Sequence, residues 1–169
     1  MATWDQADEL NHPLDFLLIQ NGFISLFGQR TILDEAISWL GQRSYKVIYL
    51  DAALWQSSRD MHRDMAEALD FPEYYGRNLH ALNDCLNDVA TQSYGWTDAD
   101  TGLVIVVDGY DKFAKRDTRT AHLLLDIFAK QAAYAALFGN RMMCLVHSDD
   151  RQIEVPPVGG TSVTWNHRE

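Results

Sequence analysis

The chain has 169 residues, 47% of them hydrophobic and 22% charged, which suits one globular domain whose core needs no disulfide or metal staple. With 14 Lys and Arg against 24 Asp and Glu, its formal charge is −10. That is the reverse of the basic footprint a general nucleic-acid binder uses to displace counterions from phosphates, and it suits a cationic partner instead.

Two cysteines, Cys85 and Cys144, are too few and too far apart for a disulfide framework or a zinc site. The opening MATWDQADELNHPLDF has neither the basic region nor the apolar run of a secretory leader. The longest apolar runs, such as Leu103 to Val107, fall far short of the ~20 residues that span a bilayer. A cytoplasmic chain with reduced thiols is expected.

In chain order, Phe16 to Ile19 and Phe23 to Phe27 are apolar runs separated by Gln20-Asn21-Gly22. Asn-Gly between such runs predicts a β-hairpin, because both residues tolerate positive φ. Ile32, Leu33, Ala36, Ile37 and Leu40 then form the apolar stripe of a helix, with Gly41 near its end. Tyr45 to Leu50 predicts a strand. Ser57 and Ser58 predict the cap of a helix whose inner face is Met61, Met65, Ala68 and Leu69, which Pro72 stops. A further helix runs from about Asn78 to Val89, carrying Leu79, Leu82, Leu86 and Val89 on one side, and Gln92 to Thr101 reads as a polar loop.

Leu103 to Val107 is continuously apolar, as befits a strand covered on both faces. Asp117 or Thr118 caps a long helix bearing Ala121, Leu124, Leu125, Phe128, Ala132 and Ala135 and closed by Gly139. Met142 to Val146 is the third continuous run. Three such runs separated by helices predict βαβ units and a parallel sheet of three strands. The end, with Pro156-Pro157, Gly159-Gly160 and an alternating Ser162 to Trp165, reads as a loop and an edge strand.

Chemistry-bearing patterns are sparse. Asp108 ends an apolar strand as a nucleotide-site acid would, but no GxxxxGK[ST] or GxGxxG occurs, so Asp108 is expected only to start the following turn. His80 with Asp84 and His122 with Asp126 stand four apart on helices, yet neither pair has a third ligand. His80 and Cys85 diverge by about 140° on a helix, which is not a nucleophile–base arrangement. No metal, cofactor or enzymatic activity is expected. Residues 70–100 carry six carboxylates against Arg77, together with Tyr74, Tyr75 and Trp96. An acidic helix flanked by aromatics is the composition of a protein-binding face.

The stretch Phe71 to Leu86, FPEYYGRNLHALNDCL, resembles the central segment of the barstar family, intracellular inhibitors of the ribonuclease barnase. The order of elements over residues 45–148 is similar as well. The resemblance implies a three-layer α/β fold: a three-stranded parallel sheet with helices on its faces, here with the N-terminal hairpin and helix added. Residues 1–44 would be an extension packed on the core, 45–150 the barstar-like domain and 151–169 a tail, as in a larger bacterial subfamily. It also implies a non-enzymatic inhibitor or immunity-type protein whose loop and helix cover the active site of a cationic ribonuclease or nuclease toxin. The alternative is an interaction module of the same fold that binds a basic partner other than a nuclease.

Carried over by motif, Asp84 is the aspartate that enters the cationic pocket, and Tyr74 is the loop aromatic. Gly76, Asn78, His80, Asn83, Asn87 and Asp88 complete the expected face. By helical spacing, His80, Asn83, Asp84 and Asn87 gather on one side of the helix. The chain departs from the family's pattern in four places. His80 stands where the family has a second interface aspartate, Asn83 where it has a tryptophan, and Asn87-Asp88 where it has Thr-Gly. Lys130 lies near a family glutamate. Those departures imply a basic target other than barnase itself.

Overall fold

A computed structural model describes residues 13–169. The first twelve residues, on which the leader reading mainly rests, lie outside the described residues.

Helix α1 (Leu14–Ile19) stands where the hairpin's first strand is expected. The Asn-Gly signal marks a chain reversal, and Gly22 does adopt φ +130°, but a helix end needs such a residue as much as a hairpin does. Tertiary structure decides between them. Strand β1 (Ile24–Phe27) is flanked on both edges, by β4 (Met142–His147) and β5 (Thr164–Trp165), and both pairings are parallel. No edge of β1 is left for an antiparallel mate. The helical form also buries Asp15, which accepts hydrogen bonds from Tyr45 Oη at 2.6 Å and Arg141 Nη1 at 3.3 Å.

The next elements follow expectation closely: α2 (Arg30–Gln42), β2 (Lys46–Asp51), a 3-10 turn (Ala52–Leu54), α3 (Ser58–Ala68) and α4 (Leu79–Ala90). Ser57 takes the extended N-cap position of α3 but makes no capping bond. Asp60 instead reaches back to the Gln56 amide at 2.8 Å. Strand β3 (Leu103–Asp108) leads into α5 (Tyr110–Arg116), a short helix with no counterpart in the expected order. Gly109 makes that junction in the left-handed conformation, φ +65°, with Ala53 lying where a side chain would project. Asp117 caps the long α6 (Thr118–Leu137), accepting from the Thr120 amide at 3.0 Å. Strands β4 (Met142–His147) and β5 (Thr164–Trp165) complete the set.

The three expected strands are parallel neighbours, with Lys46 opposite Leu103 and Leu103 opposite Met142. The sheet is larger than expected, however. Among the described residues it has five strands in the order β2-β3-β4-β1-β5. The continuous apolar runs explain why the sheet has two helical layers. Ile105, Val107 and Cys144 face the layer of α3, α4, α5 and α6, while Val104, Val106, Met143 and Leu145 face α1 and α2. Strand side chains alternate between faces, so α2 is needed to cover the second face. Removing each such aliphatic side chain from water is worth about 1.5–3 kcal/mol.

Candidate functional site

The segment from Leu69 to Trp96 is built by alternating anchors and free side chains. Asp70 and Arg77 bracket the loop with left-handed backbones, φ +56° and +50°. Between them the two adjacent tyrosines separate. Tyr75 is 8% exposed, stacked edge-on against Phe71 with ring centroids 4.9 Å apart and hydrogen-bonded to His62 Nδ1 at 2.5 Å. Burial pushes its phenol up and the His62 imidazole down. Tyr74 is 82% exposed.

Asn78 caps α4 by accepting from the Ala81 amide at 2.9 Å, which fixes where the helix begins. Leu82, Leu86 and Val89 are fully buried on its inner face, with Cys85 beside them. Burial raises the Cys85 thiol pKa, the wrong direction for a nucleophile. The loop after α4 folds back onto the helix: Trp96 Nε1 donates to the Val89 carbonyl at 2.7 Å, and Tyr94 Oη donates to Asp88 at 3.1 Å.

The eight expected face residues therefore divide. Tyr74, Gly76, His80 and Asp84 are exposed, and Asp84 makes no hydrogen bond or ion pair among the described residues. Asn78 is exposed but committed to its cap. Asn83 accepts from Gln131 Nε2 at 2.9 Å, and Asn87 donates to Gln131 Oε1 at 3.0 Å. These two side chains join α4 to α6 rather than standing free beside Asp84. Asp88 is tied to Tyr94.

A groove of about 600 Å³ runs between the start of α4 and α6, lined by His62, Arg77, His80, Arg119, Asp126 and Lys130 among others. Asp126 accepts from Lys130 at 2.7 Å and from the Gly159 amide at 2.9 Å. His122 Nε2 lies 3.1 Å from the Pro157 carbonyl oxygen. His122 and Asp126 thus fasten the C-terminal segment to α6. Among the described residues, no three His, Cys, Asp or Glu side chains gather as metal ligands, and no helix is long and apolar enough to cross a membrane.

A second polar cluster lies at the C-terminal ends of the strands, where open α/β sheets generally place ligands. Arg30 holds Asp108 with two parallel hydrogen bonds, 2.7 and 2.8 Å. Tyr49 donates to the same carboxylate, and His147 Nδ1 lies 2.8 Å from its other oxygen. Burial works against the charge, but Arg30, Tyr49 and His147 outweigh it and hold the carboxyl below its usual range. Beside it, Glu169 accepts from the Gly28 and Gln29 amides at the start of α2, at 3.0 and 3.1 Å. Asp108 therefore does more than start a turn: it joins α2, β2, β3 and β4. Sequence reasoning missed Arg30, Tyr49 and His147. The available signal was the polar residues at the ends of apolar strands.

Against known families, residues 45–147 match the model described as Barstar (barnase inhibitor). A curated protein of Bacillus subtilis, "Putative ribonuclease inhibitor YrdF", is 41% identical over 58 residues, 34% of this chain and 56% of that protein. Among solved structures, the fold is similar to a chain in the structure of the Drosophila ORC bound to AT-rich DNA and Cdc6. That likeness has a TM-score of 0.53 at 15% identity and covers 88% of this chain and 55% of the other. The matches span little more than half the length of either relative. The structural likeness is one of fold alone, and it extends well beyond residues 45–147.

Proposed function

This chain belongs to the barstar family, and from that premise we propose that it binds and blocks a cationic bacterial ribonuclease or nuclease toxin through α4 and the loop before it. The observation that carries the reading is the state of Asp84. It is exposed, and among the described residues unpaired, on the outer side of a helix whose other polar residues are largely committed within the chain. A carboxylate placed so can enter a pocket of Arg and Lys side chains, reproduce the charge of a substrate phosphate and accept paired hydrogen bonds. Tyr74, flat and exposed on the adjoining loop, is the aromatic anchor such an interface uses. Gly76 and His80 complete the contact set, while Asn78, Asn83, Asn87 and Asp88 hold the helix in place. The chain acts in the cytoplasm, where its free thiols stay reduced.

The test is inhibition of RNA cleavage, begun with barnase and extended to other basic ribonucleases. The expected result is stoichiometric inhibition of at least one enzyme, lost on Asp84→Ala. If none of these enzymes is inhibited, and the partner recovered by affinity selection is a basic protein without nuclease activity, the inhibitor reading fails.

A further inference from the structure

The face around Asp84 is not uniformly acidic. Of the chain's 14 lysines and arginines, three make no hydrogen bond or ion pair among the described residues: Arg59, Arg77 and Arg119. The others are engaged within the chain. Arg77 and Arg119 line the same groove from different elements, and Arg59 adjoins Ser58, which also lines it. All three are exposed. The groove's acid, Asp126, is already held by Lys130 and the Gly159 amide, and Asp117, whose carboxyl Thr120 and Arg119 help to hold below its usual range, is spent on the cap of α6. His80, which also lines the groove, stands one helical turn before Asp84 on α4.

In a chain of net charge −10, the lining of this groove carries Arg77, Arg119 and Lys130 against Asp126. We propose, building on the inhibitory reading above, that this groove receives an acidic segment of the blocked protein. The segment's Asp or Glu carboxylates would lie on Arg77 and Arg119, while Asp84 engages that protein's cationic pocket. Guanidinium groups suit this role because their planar donors take a carboxylate bidentately, and the amino end of α4 adds positive potential at the same spot. Charge complementarity selects a short acidic peptide over nucleic acid. A continuous phosphate backbone extending along α4 beyond the groove would meet the carboxylates of Asp84 and Asp88. The partner face this predicts carries both signs, and two oppositely charged contacts fix orientation better than one.

The probe is a capped hexaglutamate peptide titrated into the ¹⁵N-labelled chain at low salt, with hexalysine and hexauridylate as comparisons. Hexaglutamate is expected to shift the amides of Leu79, His80, Leu123 and Ile127. The double variant Arg77→Glu, Arg119→Glu should weaken that binding at least tenfold, and Asp84→Ala should leave it unweakened. Should charge reversal disturb the melting transition, Arg77→Gln with Arg119→Gln is held to the same criteria. No shift at the groove, a response unchanged in the arginine variants, or hexauridylate binding there as tightly would overturn the proposal. Ribonuclease inhibition by the unaltered chain reports separately on the inhibitory reading.

Discussion

Two aspartates at opposite regions of this molecule are bonded in opposite ways. Asp108, at the ends of the strands, has both oxygens occupied by donors from α2, β2 and β4. Asp84, on the outer helical layer, has none among the described residues. A carboxylate whose capacity is used internally is a fastening, whereas one held rigidly with its capacity open is available to a partner. The same division separates Tyr75 from Tyr74 and Lys130 from Arg119. The bonding state of each side chain says which residues of α4 are committed within the chain and which are not.

That contrast can be broken by exchanging the two sites' roles. Asp84→Ala is expected to lower partner affinity by about 2–5 kcal/mol, mostly through faster dissociation, because a buried cation of the partner loses its mate, as charge pairs in the barnase–barstar complex themselves illustrate. Its melting temperature should stay within error. Asp108→Ala should do the reverse: a stability loss of about 1–3 kcal/mol in denaturant titration, since His147, 3% exposed, loses its acceptor while half-exposed Arg30 is partly rescued by water. Partner affinity should be nearly unchanged. Equal effects of both substitutions on binding would erase the distinction.

Acid sharpens it further. Asp108 is held below its usual range in the folded chain. Its contribution is therefore complete above the ordinary carboxylate pKa of ~4 and is lost as pH falls through the lower folded value. Asp108→Asn should flatten that part of the stability–pH curve, and an unchanged acid limb would show that the network carries no linkage.

A smaller effect is expected at the seam between the two helices. Gln131→Ala leaves Asn83 and Asn87 without their bridging amide, for about 1–2 kcal/mol of stability. It should also loosen α4 enough to speed amide exchange there, while α2 exchanges as before. The smallest change is Glu35→Gln. It breaks only the exposed pair with Arg168 and should move stability by less than about 0.5 kcal/mol.

Much of the fold is legible from local pattern. The apolar periodicities of α2, α4 and α6, the Asp117 cap and the three continuous strands are properties of adjacent residues, and they survive into the structure. The loop motif likewise carried the family. What local pattern could not decide is everything that depends on a distant partner. Residues 14–19 have the same apolar content whether helical or extended, and the choice waits on β1 being enclosed by β4 and β5. Strand β5 is two residues long, too short to announce itself, and exists because the β1 edge is there to receive it.

The candidate site divides along the same line. The exposed side of α4 that bears Asp84 was legible from the spacing of Leu79, Leu82 and Leu86. The commitment of Asn83 and Asn87 was not, because their partner Gln131 lies 48 and 44 residues away in the chain. Nor was the Arg30–Asp108 fastening, which spans 78 residues. Periodicity tells which side of a helix is apolar, since burial of one face is a local demand. Only the packed structure tells which polar residues on the other side are already satisfied, because a hydrogen bond is spent on whatever group folding brings within about 3 Å.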